Sequence, residues 1–166
     1  MRRGFVEILL FLSALLFFSG CGDGDSEPTY PGSFEVLFTD PYGDEGLLER
    51  AIELVSQAEK TIDVISYGFD LDTLAGALIN AHSRGVAVRV VCERDNYESA
   101  SAGEPYREME SAGIPIVHDD DDAITHDKVM IIDSAIVWTG SANFTQNGFF
   151  WNNNNVIIIE SFDVAS

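Results

Sequence analysis

From Phe34 onward the chain alternates between runs of β-branched residues and stretches in which apolar positions recur every three or four. Phe34–Phe38 predicts a short apolar strand. Over Glu45–Lys60, the residues Leu47, Leu48, Ala51, Ile52, Val55 and Ala58 keep helical spacing, which predicts an amphipathic helix. Thr61–Ser66 (TIDVIS) predicts a strand, and Leu71–Arg84 a second helix that Gly85 can terminate. Val86–Cys92 (VAVRVVC) reads as a buried strand of the parallel type. A weaker helix over Tyr106–Ala112 and a short strand at Ile114–Val117 follow. The last third changes to strand–turn–strand, with Lys128–Ile132, Ala135–Thr139 and Val156–Ile159. The pattern predicts an α/β fold: a layered mixed, largely parallel β-sheet flanked by helices on both faces, with no internal repeat.

The first residues follow a different logic. Arg2 and Arg3 precede an apolar run from Ile8 to Phe18, and Ser19-Gly20-Cys21 follows. A basic start, a short apolar run and small residues make a secretory signal, too short for a spanning helix. The small pair before Cys21 resembles the lipobox of bacterial lipoproteins, which implies cleavage and acylation at Cys21. Residues 1–20 are then a lipoprotein signal peptide, and 21–33, rich in Gly, Pro and acids, a flexible acidic tether with a reach of roughly 20 Å. The expected product is an exported lipoprotein, anchored to a membrane and facing the periplasm or the exterior. Residues 34–166 remain as one domain. The full chain is 46% apolar and 22% charged, a balance that allows one buried core. Cys92 is the only other cysteine, so an acylated Cys21 leaves no internal disulfide.

Charge narrows the function. Nine basic residues stand against 28 acidic ones, a net charge of −19. No basic stripe is available to displace counterions from a nucleic acid, although a compact site handling one phosphate is not excluded.

The informative stretch is Ile124–Phe144 (ITHDKVMIIDSAIVWTGSANF). His126 and Lys128 are two apart, so a strand puts them on one face. Asp133-Ser134 falls where a two-residue hairpin turn belongs, and Ser141 and Asn143 end the return strand. An in-register hairpin would bring His126, Lys128, Ser141 and Asn143 to one rim. A neutral imidazole can attack phosphorus, an ammonium can offset the charge on the oxygens, and an amide and a hydroxyl add hydrogen bonds. No metal or other cofactor is required for that chemistry.

His126-x-Lys128-x4-Asp133 followed by Gly140-Ser141-x-Asn143 resembles the HKD motif of the phospholipase D superfamily, in particular its small, single-motif members related to secreted endonucleases. Ile65–Phe69, Ala81–Arg89 and Asn152–Ile158 agree, so the likeness runs from about Phe34 to Glu160. It implies a phosphodiesterase acting on phospholipid or nucleic acid. His126 would form a phosphohistidine; Lys128 and Asn143 would hold the non-bridging oxygens, with Ser141 in support. Asp133 completes the motif, but its opposite parity and turn position suit orienting the hairpin. Members of the family commonly carry a glutamate that orients the catalytic histidine where Asn152–Asn155 places Asn154. They also continue into a further helix, so the resemblance implies a chain shortened at its C-terminus.

Phosphohistidine chemistry uses two imidazoles, one to attack and one to protonate the leaving oxygen. Neither His82-Ser83-Arg84 nor His118-Asp119-Asp120 forms a second motif, so the second His126 is expected from a homodimer sharing one active site. A non-catalytic surface lipoprotein derived from the family is the alternative, motivated by Asn154. His82 reads as a solvent-side helix residue and His118 as structural, Asp119–Asp122 as a solvated loop, and Arg89 and Arg94 as partners of nearby acids. Trp138 reads as packing, while Trp151 beside Phe149-Phe150 has the further option of stacking a base or touching lipid.

Overall fold

The structure, a computed structural model, describes residues 32–40, 46–120 and 124–166. The signal peptide, Cys21, the tether through residue 31 and part of the acidic loop lie outside these residues. The strands are β1 (Ser33–Phe38), β2 (Thr61–Ser66), β3 (Ala87–Cys92), β4 (Ile116–His118), β5 (Lys128–Ile132), β6 (Ile136–Gly140) and β7 (Asn155–Glu160). The helices are α1 (Gly46–Gln57), α2 (Asp72–Ser83), α3 (Arg94–Glu98), α4 (Glu104–Ser111) and α5 (Phe162–Ala165), with a π-helical turn over Asn147–Trp151. Ser33, expected in the tether, begins β1.

The strands form one mixed sheet in the order β1-β7-β6-β5-β2-β3-β4. The α/β class and the helix-flanked mixed sheet stand, but the balance of directions differs from the largely parallel expectation. β3 runs parallel to β2 and β4, whereas β2–β5, β5–β6, β6–β7 and β1–β7 are antiparallel. The physical reason is connection length: only Asp133, Ser134 and Ala135 separate the paired Ile132 and Ile136, and so short a link permits only the antiparallel arrangement.

Alternate positions of the strands fill the core. Ile62, Val64, Val88, Val90, Met130, Ile132, Trp138, Val156 and Ile158 are buried under Leu47, Ala51, Val55, Leu74, Leu78 and Met109 of α1, α2 and α4. α1 packs on α2, and α2 on α4, so these three helices cover one face. The expected layers on both faces are therefore met on this one. On the other face Phe34, Val36, Val91 and Val117 stay exposed. Cys92 is buried under the helices, and desolvation pushes its thiol up to about 12, so it acts as a small apolar residue.

Register across the centre is held by Asp133. It and Ser134 adopt left-handed backbone, with φ of 54° and 51°, as a type I′ hairpin demands. The Asp133 carboxylate accepts N–H bonds from Glu59 (2.9 Å), Lys60 (2.7 Å) and Thr61 (2.8 Å), tying the β5–β6 turn to the start of β2. Partial burial alone would raise its pKa, but the three amides outweigh this and hold the carboxyl below 3.8.

Replacing Asp133 by Ala is expected to lower the unfolding free energy by about 2–3 kcal/mol in urea titrations, and by Asn about 1, since Asn tolerates positive φ and keeps one acceptor. A depressed carboxyl contributes stability that is present above its unfolded value and lost as pH falls through its folded one. The difference between wild type and Asp133→Ala should therefore vanish on acidification.

Candidate active site

The C-terminal end of β2, the start of β5, the end of β6 and the start of β7 share one edge of the sheet. Ser66 lies opposite Lys128, and Gly140 opposite Val156. Loops complete the rim: Phe69 bridges to Phe144, Asp70 N–H donates to the Phe144 carbonyl, and Gln146 N–H donates to Asp70 Oδ1 at 2.6 Å. Side chains from four separated segments are brought together there.

Lys128 is 6% exposed, on the helix-covered face of β5. Its Nζ donates to the His126 carbonyl at 2.6 Å and stands 5.2 Å from the centre of the Tyr67 ring, in cation–π range. The His126 ring, itself exposed to solvent, meets the same tyrosine edge-on, with centroids 4.6 Å apart at 60°. Tyr67 N–H donates to the Asp127 carbonyl at 2.9 Å. One aromatic ring thus locates the imidazole and the ammonium together. Desolvation lowers the Lys128 pKa from 10.5, against an opposing pull from Asp127.

A second group borders the first. Ser141 Oγ donates to Asn154 Oδ1 at 2.9 Å and accepts from Asn155 N–H at 3.0 Å. Asn154 Nδ2 donates to the Gly148 carbonyl at 2.8 Å. Asn154 is thus bonded to Ser141 through Oδ1 and to Gly148 through Nδ2. Asn143 Oδ1 is buried with no hydrogen-bond partner. Glycine is required at position 148, because a Cβ there would collide with the Asn143 backbone. The π-helical turn that follows is the kind of irregularity often found at functional sites.

The rim therefore gathers His126, Lys128, Ser141, Asn143 and Asn154. Asp133 does not belong to it. Five residues along β5 put it about 16 Å from Lys128, at the opposite edge, so the motif's aspartate is a structural anchor rather than part of the catalytic group. His82 sits near Gly113, and His118 lies against Tyr97 and the Asp119 carbonyl, both apart from His126. Arg89 pairs with Asp63, as its acidic neighbourhood suggested, while Arg94 donates to the Asp120 backbone carbonyl. A larger cavity of about 650 Å³, lined by Ile136, Ser161 and Phe162, lies beside the hairpin, at the far edge from His126. Sequence reasoning missed Tyr67. Its signal was an aromatic directly after a β-branched strand, but its meaning depends on β2 pairing with β5.

Comparison with known proteins now bears directly on this geometry. A family model described as "Cardiolipin synthase, PLD-like domain" matches residues 51–166. The chain belongs to the phospholipase D superfamily. This phospholipase D-like chain is 38% identical over 130 residues to "Phospholipase D" of Rickettsia conorii, covering 78% of the chain and 62% of that protein. It is 32% identical over 116 residues to "Mitochondrial cardiolipin hydrolase" of Xenopus tropicalis, covering 70% and 54%. The chain thus spans little more than half the length of these curated relatives. The crystal structure of Nuc from Salmonella typhimurium, a phospholipase D family member, superposes with a TM-score of 0.73 at 29% identity, covering 81% of this chain and 87% of that one.

The chain has two lysines, Lys60 and Lys128, so side-chain ¹³C NMR can follow the buried one directly. Its midpoint is expected below 10.5, and Tyr67→Ala, which opens the ammonium to water, should move it back toward 10.5. A lysine depressed by burial costs stability at neutral pH. That cost is relieved as pH rises through the folded value toward the unfolded one.

Proposed function

We propose that this chain is a phosphodiesterase that works through a phosphohistidine, exported and held at a membrane by an acyl group on Cys21. The observation that carries the chemistry is the His126–Lys128 pair arranged around Tyr67. In this reading, a His126 ring nitrogen forms a bond to phosphorus while the P–O bond to the leaving alcohol breaks. A second imidazole gives that oxygen its proton. Water then attacks the phosphohistidine, returns a proton to the second imidazole and frees the phosphate monoester. The Lys128 ammonium stabilises the charge on the non-bridging oxygens, with Asn143 and Ser141 beside it.

The second imidazole is assigned to His126 of a two-fold related copy. The exposed apolar positions Phe34 and Val36 on the open sheet face support an interface able to hold two such acidic chains together. The competing reading, a non-catalytic binding protein, draws on Asn154, which stands where the family commonly carries a glutamate and bonds Ser141 and Gly148.

The reading predicts that the purified protein hydrolyses bis(p-nitrophenyl) phosphate at a rate unchanged by EDTA. His126→Asn should reduce kcat by about 10³-fold or more. Tyr67→Ala should cost about tenfold in kcat and Tyr67→Phe little, because the ring rather than the hydroxyl meets both groups. Sedimentation should find a dimer at assay concentration. A fully active monomer contradicts the shared site, and a folded dimer without turnover favours the binding-protein reading.

A further inference from the structure

His126 belongs to neither β4 nor β5; it sits in the segment 119–127 that joins them. A ring that attacks phosphorus has to be held to within about half an ångström, so the backbone on each side of it needs a fixed point. On the C-terminal side the Asp127 carbonyl accepts the Tyr67 N–H at 2.9 Å. On the N-terminal side the fixed point is Asp119. Its Oδ2 accepts the Thr125 N–H at 3.2 Å, one residue before His126, and the Thr125 side chain bonds the same carboxylate.

Asp119 is itself built into the end of the sheet. Its N–H donates to the Cys92 carbonyl at the end of β3 (3.2 Å), and its Oδ1 accepts the Arg94 N–H at the start of α3 (2.9 Å). The His118 ring, packed against Tyr97, brings Nδ1 to 3.0 Å from the Asp119 carbonyl. Asp120, next in the same acidic run, has a side chain 92% exposed, whereas Asp119 is half-buried. The α3 helix does not depend on Asp119 for a cap, because the Glu93 carboxylate already accepts the Asn96 N–H at 2.9 Å. The bond to Thr125 reaches only the segment that carries His126. Donors from Thr125 and then Arg94 outweigh desolvation and hold the Asp119 carboxyl below 3.8, so it is ionised where an imidazole is neutral and able to attack.

We propose that Asp119 is a positioning residue for His126: through Thr125 it ties the imidazole to the fixed ends of β3 and β4 and keeps the ring in its edge-on contact with Tyr67. The proposal rests on the phosphodiesterase reading above and adds to it a residue that acts through another.

The chain has three histidines, so NMR of the full chain can follow the His126 ring, with His126→Asn to assign it. Cross-peaks between the His126 and Tyr67 rings, whose centroids are 4.6 Å apart, should be present in wild type and lost in Asp119→Ala. The same variant should lower kcat on bis(p-nitrophenyl) phosphate by about tenfold or more with KM within about twofold, because a misplaced nucleophile slows the chemical step rather than binding. Asp119→Asn keeps one carbonyl acceptor and should restore the cross-peaks and bring kcat within about threefold of wild type. Glu93→Ala separates positioning from stability: it removes the α3 cap, so it should lower the urea midpoint yet keep the cross-peaks and hold kcat within about twofold. If Asp119→Ala does not fold, Thr125→Val, which removes only the hydroxyl, carries the test with an expected loss of about threefold in kcat. Unchanged kcat in these variants, cross-peaks that survive in a folded Asp119→Ala, or an equal loss in Glu93→Ala would each overturn the proposal. A wild-type chain that leaves bis(p-nitrophenyl) phosphate intact would instead remove the phosphodiesterase reading, and the ring contact would still decide the role of Asp119.

Discussion

A single strand, β5, carries a charge at each end and answers each in a different way. At its head the Lys128 ammonium is desolvated, and the His126 carbonyl and the face of Tyr67 stand in for part of the water it has lost. At its tail the Asp133 carboxylate gathers three amide donors from the entry into β2. Between them Val129–Ile132 pairs on both sides, with β2 and with β6. Holding a buried cation in one place requires a rigid support, and a strand hydrogen-bonded along both edges and anchored at its far end provides it. The rim residues inherit their positions from that strand.

The same arrangement explains how a strongly acidic protein can present a phosphate site. At physiological salt, charges are screened within about 8–10 Å, so the distant surface matters less than the groups at the rim. One desolvated ammonium in a setting of amides, hydroxyls and aromatic rings is suited to a single phosphodiester. The proposed function therefore depends on local preorganisation rather than on the field of the whole molecule.

Asp133 and Asn154 show how far a motif carries. Spacing places both within a recognisable pattern, yet neither touches the His126 ring within one chain. Asp133 serves the hairpin, and Asn154 serves Ser141 and Gly148. Family membership establishes which residues are candidates; the contacts of each decide what it can do.

Local pattern was enough to locate most elements. Thr61–Ser66 and Lys128–Ile132 fall where β-branched runs predict them, α1 and α2 follow their apolar spacing, and the hairpin turns at Asp133-Ser134 as expected, with Ala135 lengthening the link to three residues. These features depend on residues near one another in the chain, whose periodicity and backbone preferences are written in the sequence. The direction of β2 against β5, the role of Tyr67, the exposure of Trp151 and the open face bearing Phe34 and Val36 were not legible in that way. Each depends on which distant segment lies alongside, and that choice follows from the joint burial of many side chains in one core. The sequence alone therefore determined the elements and the chemical groups available. Tertiary packing decided which of those groups meet, because contacts between remote segments form only once the whole sheet has closed over its helices.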